Sequence, residues 1–514
     1  MKNQDVSTLD TLLLGIDVGT TAAKAALFSI DGHLQGVGQA EYPVHHVRPG
    51  WVEQNPEDWW QAVCVAIQQA LAQLPDAAQR VAGVAVSAQA PTMIALNRDG
   101  QPVRPALIWM DRRAEAEAAR LDEVLGQGET YRITGNRPDA FYVAAKILWF
   151  KTHQPELHAQ THQFAQINGY INYRLTGTVT LDPVHAALLQ LRDYATGEWS
   201  AALCGLCGVE PGHFPPVLAG HHVQGEVTRE ASERTGLRPG TPVLVGTVDG
   251  SAAAVEAGAV NPGMAAEMTG TSTVLLMPNA GGITEPAFTT MPHAVPGVDL
   301  LFGAMVASGA SLRWFRDQFG QLEVQEATQQ QIDPFDLLTQ QAAATSSGLI
   351  FLPYMMGERA PIWHTQARGV FFGLSLATPK AALVRAILEG TAFALRHNVD
   401  VARAAGVELT EIRSVGGGTR SALWNQIKAD VLGLQVLLPE TSVGAPFGDA
   451  VLVGMGLGIY PDVSATLRDI VRVRTRYEPD MQAHQRYTQL YGVFRSIYDH
   501  LRPDFDQLAV INEQ

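Results

Sequence analysis

The alternation of hydrophobic and polar positions near the start of the chain predicts three consecutive β-strands. An apolar run over residues 12–16 leads into a turn at 17–21, and a second apolar run covers 25–30. Asp31-Gly32 favours a two-residue hairpin turn, and a third short strand pattern follows over 35–41. We therefore expect an antiparallel meander at the beginning of the fold.

A helix and a buried strand are predicted next. Asn55 precedes Pro56 and two acidic residues, and an apolar-periodic stretch then continues to about residue 74. Asparagine as cap, proline at the first helical position and acids in the first turn all favour a helix start. The β-branched run over 81–89 is typical of a buried strand.

A similar pattern returns in the second half of the chain. The apolar run over 242–248 predicts a buried strand that ends at Asp249, and an alanine-rich helical stretch follows. Residues 265–277 repeat the strand, Gly-Thr turn, strand order of residues 12–30, which indicates a weak internal repeat. Helical and strand patterns then alternate, so the sequence predicts α/β layering. We place the two domains at 1–252 and 253–514.

Composition indicates a globular protein and excludes several kinds of partner. The 514 residues are 46% hydrophobic and 17% charged, which suits folded domains rather than a disordered chain. The net charge of −15 repels nucleic acid and anionic membranes, so any phosphate must be bound locally. The start MKNQDVSTLD lacks a signal-peptide pattern, and no apolar run approaches the ~20 residues of a membrane helix. We expect a cytoplasmic protein.

Glycine-rich turns are the candidate phosphate-binding features. The chain has neither a GxxxxGK[ST] loop nor a GxGxxG sequence that opens a βαβ unit. What remains is a first Gly-Thr turn (residues 19–21), a second Gly-Thr turn (residues 270–271) and a triple glycine at 416–418. Such turns expose backbone N–H groups and hydroxyl donors to anionic oxygens. Singly, each is more often only a structural turn. One from each half predicts a polyphosphate site.

Three charged residues are the candidates for metal binding, phosphate binding and catalysis. Lys24 is the local cation at the first Gly-Thr turn, although a lysine there also suits a solvated strand. Asp17 ends the first strand and is placed to hold Mg²⁺ through water, because Mg²⁺ prefers oxygen ligands and keeps most of its hydration. Asp249 follows a buried strand, at the edge where α/β sheets bind ligands. Its position alone also permits a helix N-cap.

Ordered segments over essentially the whole chain carry a family resemblance. They are GIDVGTTAAKAALF (15–28), RPGWVEQNPEDWW (48–60), ALIWMDRRA (106–114), AKILWFKTH (145–153), GYINYRLTG (169–177), VGTVDGSAAAVEAG (245–258), MTGTS (268–272), ASGASLRWFRD (307–317), LPYMMGERAPIWHTQARGVFFGLSL (352–376) and GGGTRSALWNQIKADVLG (416–433). The chain resembles the FGGY carbohydrate kinases, which belong with the actin-like and hexokinase-like ATPases. The resemblance implies an α/β fold of two ribonuclease-H-like domains with a central cleft, where ATP and a sugar meet.

The resemblance also implies roles for individual residues. Asp249 would take the proton of the attacking sugar hydroxyl, and Asp17 would lie by Mg²⁺ and the transferring phosphate. The residues implied in ATP binding are Gly19, Thr20, Thr21, Lys24, Gly270, Thr271, Gly309, Arg313, Gly417, Gly418 and Ser421. The residues implied in substrate binding are Ala88, Gln89, Trp109, Asp249 and Gly250. Tryptophan alone would more often be a core residue, but its face suits sugar C–H groups.

Two departures from the xylulokinase pattern fall in the implied sugar pocket. Xylulokinases usually carry Gln-Met-His-Gly where this chain has residues 87–90, so Gln89 replaces the sugar-contacting histidine. They also commonly follow the catalytic aspartate with asparagine, where this chain has Gly250. Neither departure involves the residues implied in ATP binding.

The resemblance predicts an ATP-dependent carbohydrate kinase that uses Mg²⁺. A ketopentose such as D-xylulose is the leading substrate, and gluconate or another polyol-like sugar is the alternative. A remote alternative is an actin-like ATPase acting on protein partners, which fold-level analogy alone would permit. We expect a small sugar and ATP as partners and neither nucleic acid nor membrane; a homodimer is left open.

Overall fold

The computed structural model describes residues 11–345, 348–440 and 443–512. Its strands are β1 (Leu12–Val18), β2 (Ala22–Ser29), β3 (Leu34–Glu41), β4 (His45–Arg48), β5 (Trp51–Gln54), β6 (Val81–Ala88), β7 (Ile94–Leu96), β8 (Ala106–Leu107), β9 (Gln163–Ala165), β10 (Val223–Glu226), β11 (Pro242–Leu244), β12 (Thr247–Val248), β13 (Gly263–Thr269), β14 (Thr273–Asn279), β15 (Thr289–Pro292), β16 (Asp299–Met305), β17 (Ile350–Leu352), β18 (Val370–Phe372), β19 (Leu409–Val415), β20 (Gln435–Pro439) and β21 (Val473–Tyr477). Its helices are α1 (Pro56–Leu71), α2 (Ala77–Arg80), α3 (Glu115–Leu125), α4 (Glu129–Thr134), α5 (Val143–His153), α6 (Pro155–Gln160), α7 (Ile167–Thr176), α8 (Pro183–Leu188), α9 (Ala201–Cys207), α10 (Arg229–Thr235), α11 (Asp249–Glu256), α12 (Ser308–Phe319), α13 (Gln321–Gln330), α14 (Pro334–Ala343), α15 (Lys380–Ala404), α16 (Ala422–Leu432), α17 (Ala445–Gly456), α18 (Val463–Ile470) and α19 (Met481–Asn512).

The chain forms two compact units. The first contains the described residues up to 260 together with 290–299 and 443–471, and the second contains the rest. This division differs from the predicted boundary at 252, because α17 and α18 return to the first unit late in the sequence. The return follows from close packing: a Cβ atom on Gly15 of β1 would lie 1.8 Å from the carbonyl oxygen of Pro446 in α17. A sequence pattern cannot show such a long-range contact.

The first unit is built on a sheet with helices on both faces. Its strand order is β10-β11-β6-β1-β2-β3, and β12 also pairs with β6. Strands β1, β2 and β3 form the predicted antiparallel meander, whereas β1 and β6 are parallel. Because side chains alternate along a strand, Leu14 and Ile16 of β1 pack into the core that contains Trp59 of α1, while Leu13 packs with Phe447 of α17.

The second unit repeats the strand order of the first. Its central strands lie in the order β16-β14-β13-β19-β20-β21, with β13 antiparallel to β14 and parallel to β19. In both sheets the first strand of a meander lies beside a parallel strand that follows later in the chain. The weak repeat in the sequence is therefore present in the topology. The main core of this unit includes residues of the long helix α15 and of α16 and α19.

None of the helices within 11–345, 348–440 and 443–512 combines the length and the apolar character needed to cross a bilayer.

Candidate active site

The first Gly-Thr turn joins β1 to β2 and is held by hydrogen bonds from its own backbone and from two aromatic side chains. The N–H of Gly19 donates to the carbonyl of Ala22 at 3.1 Å, which closes the turn. The Tyr42 hydroxyl donates to the carbonyl of Gly19, and Nε1 of Trp109 donates to Oγ1 of Thr20 at 3.1 Å. The turn is thus a fixed backbone feature.

Asp17 and Lys24 flank this turn as directly paired residues of β1 and β2. Nζ of Lys24 donates to the carbonyl of Val443 at 3.1 Å, so backbone in the same unit orients the predicted cation. Oδ1 of Asp17 is buried and has no hydrogen-bond partner in the described part of the chain. A carboxylate oxygen left unbonded in this way fits a hard cation such as Mg²⁺.

Asp249 is the first residue of α11, directly after β12. The alternative of a helix N-cap is wrong, because Val248 occupies the cap position. The predicted strand over 242–248 is split into β11 and β12 by Gly246, which has a φ of +79°. A Cβ atom there would lie 1.9 Å from the carbonyl oxygen of Val86, so only glycine fits the break.

Side chains of α7 hold this break in place. Nδ2 of Asn172 donates to the carbonyl of Val245 at 2.9 Å, and Nδ2 of Asn168 donates to the same carbonyl at 3.2 Å. Both asparagines are fully buried. The short strand β12 and the aspartate after it are therefore anchored to the core.

Strand register brings the two predicted catalytic aspartates to one edge of the sheet. Val18 of β1 and Val248 of β12 both pair with Ala88 of β6, and all three strands are parallel. Asp17 precedes Val18 and Asp249 follows Val248, so both carboxylates lie at the carboxyl ends of parallel strands that flank β6. This edge is where α/β sheets bind ligands.

Burial changes the acidity of both carboxyls, and the charge of Asp249 adds to the effect on Asp17. Burial raises the pKa of Asp17, the charge of Asp249 raises it further, and Lys24 lowers it. Burial also raises the pKa of Asp249. The N–H of Gly250 donates to its Oδ1 at 2.6 Å and partly offsets this rise. Carboxyls with raised pKa values that converge at a sheet edge are typical of catalytic sites.

Glu256, at the end of α11, is a third buried acid of the same region. Burial raises its pKa to about 7, although the N–H groups of Gly444 and Val443 donate to Oε1 at 2.6 and 2.7 Å. Its charge in turn raises the pKa of Asp17.

Replacing Glu256 with glutamine should change how stability depends on pH. A carboxyl with a raised folded-state pKa favours the folded state below pH 4.5, and that contribution is lost as the pH rises to about 7. The free energy of unfolding of the variant should therefore fall less over this range, by roughly 1–3 kcal/mol. Urea unfolding at several pH values measures the slope. Equal slopes for both proteins would show that Glu256 titrates normally.

The remaining predicted sugar-side residues differ in exposure. Trp109 is only partly buried, whereas Ala88, Gln89 and Gly250 are buried. The backbone N–H of Gln89 donates to the carbonyl of Val18 at 2.9 Å, and its side chain points to Gln54 rather than outward. Among the predicted sugar-side residues, Asp249 and Trp109 are therefore the two whose side chains are accessible.

In the second unit, all the predicted nucleotide residues line one cavity of about 280 Å³. We call it the glycine-lined cavity; the predicted residues around it are Gly270, Thr271, Gly309, Arg313, Gly417, Gly418 and Ser421. Gly309 lies in the first turn of α12, and the N–H of Ala310 donates to the carbonyl of Thr271 at 2.9 Å. A Cβ atom on Gly309 would lie 2.1 Å from the carbonyl oxygen of Gly270. The second Gly-Thr turn and α12 thus meet backbone to backbone.

The sequence did not indicate the other residues of this cavity, which are Leu312, Phe335, Asp336, Thr339, Arg420 and Trp424. Leu312 lies three residues after Gly309, and Trp424 lies three residues after Ser421, which caps α16. Helical spacing could therefore have found both. Phe335 comes from α14, a separate element with no motif, and Arg316 stacks over its ring at 4.7 Å.

Among the described residues, no cluster of three or more His, Cys, Asp or Glu side chains could hold a metal ion. The buried, unbonded Oδ1 of Asp17 fits a Mg²⁺ ion that keeps its water and phosphate ligands.

Comparison with known protein families assigns both parts of the chain. The model of the N-terminal domain of the FGGY family of carbohydrate kinases matches residues 12–256, and the model of the C-terminal domain matches residues 265–457. The fold and the site define an ATP-using sugar kinase. The chain belongs to the FGGY family of carbohydrate kinases.

Similar proteins carry several substrate names. A xylulose kinase of Bacillus subtilis is 29% identical and covers 95% of this chain and 97% of its own length. A gluconokinase of the same organism is 28% identical over 98% of both chains, and an autoinducer-2 kinase of Escherichia coli is 29% identical over 97% of this chain and 95% of its own. The crystal structure of xylulose kinase from Rhodospirillum rubrum has a TM-score of 0.90 at 30% identity and covers 96% of this chain and 100% of that chain.

Proposed function

We propose that this kinase transfers the γ-phosphoryl group of ATP to a hydroxyl of a ketopentose such as D-xylulose, with Asp249 as general base. The observation that carries the proposal is the convergence of Asp17 and Asp249 at one sheet edge beside the first Gly-Thr turn. The xylulose kinases among the similar proteins support the choice of ketopentose.

The reaction follows from the residues at this edge. The sugar hydroxyl oxygen bonds to the γ-phosphorus, the bond between that phosphorus and the β–γ bridging oxygen breaks, and ADP leaves. The hydroxyl proton passes to the carboxylate of Asp249. Since burial raises the pKa of Asp249, its carboxylate is a stronger base than an exposed aspartate. Proton transfer is late in a loose phosphoryl-transfer transition state, so orientation of the hydroxyl is the other contribution of this residue.

Phosphate and nucleotide contacts are proposed on the turns and the glycine-lined cavity. The residues proposed to contact phosphates are Gly19, Thr20, Thr21, Lys24, Gly270 and Thr271. The glycine-lined cavity takes adenine and ribose, with Phe335 and Trp424 as apolar walls. Asp17 would hold Mg²⁺ through water, and Mg²⁺ supplies neutralisation of phosphate charge when bound.

The proposed sugar-side residues are Ala88, Trp109, Asp249 and Gly250, whereas the side chain of Gln89 is directed to Gln54. Trp109 offers an aromatic surface, and its Nε1 is committed to Thr20. The family membership favours this small-molecule function over an ATPase that acts on protein partners.

ADP release, coupled to NADH oxidation, tests the substrate across pentuloses, hexuloses, aldonates, glycerol, tetritols and autoinducer-2. D-Xylulose should give kcat/KM at least about tenfold above any other compound, because one or two hydrogen bonds to sugar hydroxyls, at about 0.5–1.5 kcal/mol each, discriminate by that factor. A stronger response to gluconate or autoinducer-2 would replace the ketopentose with that substrate. Silence across the panel with ATP bound would overturn the sugar assignment.

A further inference from the structure

The side chain of Gln54, at the end of β5, is a buried junction of hydrogen bonds. Only 1% of its surface is exposed. Its Nε2 donates to the carbonyl of Thr20 at 2.8 Å and to the carbonyl of Pro43 at 3.2 Å. Its Oε1 accepts from Nε2 of Gln89 at 2.7 Å and from Nε1 of Trp59 at 3.3 Å. An amide side chain has two N–H donors and one oxygen with two lone pairs, so Gln54 makes every hydrogen bond that its amide group can make.

Full use of both ends fixes the orientation of the amide. Rotating it by 180° would set Nε2 against the two donors Gln89 and Trp59, and Oε1 against the carbonyl oxygens of Thr20 and Pro43. Buried polar groups without partners are costly, so this rotation is strongly disfavoured. Gln54 therefore holds the carbonyl of Thr20 toward the protein interior.

The hydrogen bond from Gln54 to the carbonyl of Thr20 also determines the direction of the N–H of Thr21. In a planar trans peptide the C=O and N–H bonds point in opposite directions. A carbonyl of Thr20 that points inward to Gln54 therefore directs the N–H of Thr21 outward, and Thr21 is exposed. By the same geometry, the Tyr42 hydroxyl on the carbonyl of Gly19 directs the N–H of Thr20 outward.

We propose that Gln54 is a positioning residue that aims the N–H of Thr21 at the transferring phosphoryl group, and that Gln89 acts on this N–H through Gln54. The inference rests on the proposed function, because it takes the first Gly-Thr turn as a phosphate contact. Gln89 then supports phosphoryl transfer from the sugar side of the sheet edge without touching the sugar.

The main test replaces Gln54 with glutamate, which keeps the shape and removes both donors to backbone carbonyls. Losing one aimed N–H group should lower kcat about 10²-fold, by analogy with oxyanion-hole donors. KM for D-xylulose should change by less than about threefold, since the sugar is not contacted. Hydrolysis of ATP without sugar should fall in parallel, which gives a readout that does not depend on the identity of the sugar.

Gln190→Glu is the matched control for burial and for loss of donors. Gln190 is also fully buried in the first unit, and its Nε2 donates to the carbonyls of Asn136 at 3.1 Å and Arg137 at 2.8 Å. Both variants should lower Tm, but only Q54E should lower kcat. A kcat of Q54E within about threefold of the unsubstituted enzyme, or an equal loss in the control, would overturn the proposal.

Gln89→Met provides the test if Q54E does not fold. Methionine keeps the volume and removes the donor to Gln54, so kcat should fall about five- to tenfold with KM for D-xylulose unchanged. A raised KM for D-xylulose at constant kcat would mean that Gln89 contacts the sugar itself, against the inference. Failure of the proposed function is separate: the unsubstituted enzyme would then be inactive with every sugar of the panel.

Discussion

Replacing Asp249 with asparagine is expected to lower kcat about 10³-fold, because the variant has no group that accepts the proton of the attacking hydroxyl. Asparagine keeps an oxygen that can accept the N–H of Gly250, so the start of α11 should be preserved. ATP affinity, measured by titration calorimetry with a non-hydrolysable analogue, should stay within about threefold, since the glycine-lined cavity is made of other residues. ADP release with D-xylulose measures kcat.

The control for this variant is Glu117→Gln, which neutralises a carboxylate in α3 of the same unit that is 8% exposed. It should leave kcat within about threefold. The pH dependence gives a further check: kcat/KM of the unsubstituted enzyme should fall as the pH drops through the raised pKa of Asp249. Loss of ATP affinity in D249N, with catalysis by bound enzyme intact, would contradict the role as base.

Replacing Gly309 with alanine is expected to raise KM for ATP about 10²-fold and to destabilise the protein by about 1–3 kcal/mol. The new Cβ would lie 2.1 Å from the carbonyl oxygen of Gly270, so the second Gly-Thr turn or α12 must move. Alanine within a helix would otherwise stabilise it by about 0.5–1 kcal/mol over glycine, so a loss of stability has the opposite sign to helix propensity. Thermal unfolding and ATP titration of kcat measure both effects.

Gly417→Ala is the matched comparison within the same cavity. Apart from its two neighbours in the chain, no described residue has an atom within 4 Å of a Cβ atom on Gly417, so the stability of this variant should change by no more than about 0.5 kcal/mol. The KM of G417A for ATP should rise less than that of G309A. The methyl group on residue 417 would occupy space in the cavity without displacing the backbone around it. If G309A matched wild type in both stability and KM, the backbone contact would have no part in shaping the cavity.

The sequence was informative where chemistry is local. The meander and the cap at Asn55 depend on neighbouring residues, and the structure confirms both. The strand predicted over 242–248 is present as two segments, β11 and β12. The Gly-Thr turns were found because glycine and hydroxyl residues in a turn have a direct physical meaning. The roles of these residues in catalysis and binding remain predictions.

What the sequence could not provide depends on long-range packing. The junction at Gln54 joins residues 20, 43, 59 and 89, which no local pattern relates. Phe335 comes to the glycine-lined cavity from an unmarked helix for the same reason. The orientation of Gln89 toward Gln54 also depends on the fold around it, so a substitution read against a family pattern cannot reveal which way the side chain points.

The late return of α17 has a consequence for synthesis of the protein on the ribosome. Phe28 of β2 packs edge-on against Phe447 of α17, with ring centroids 5.3 Å apart, and Leu13 belongs to the same cluster. At translation rates of about 5–20 residues per second, residues 261–442 take roughly 10–40 s to emerge. One face of the first sheet therefore stays uncovered in the nascent chain during that interval, open to chaperone capture, and cotranslational folding of the first unit cannot be completed before α17 leaves the exit tunnel.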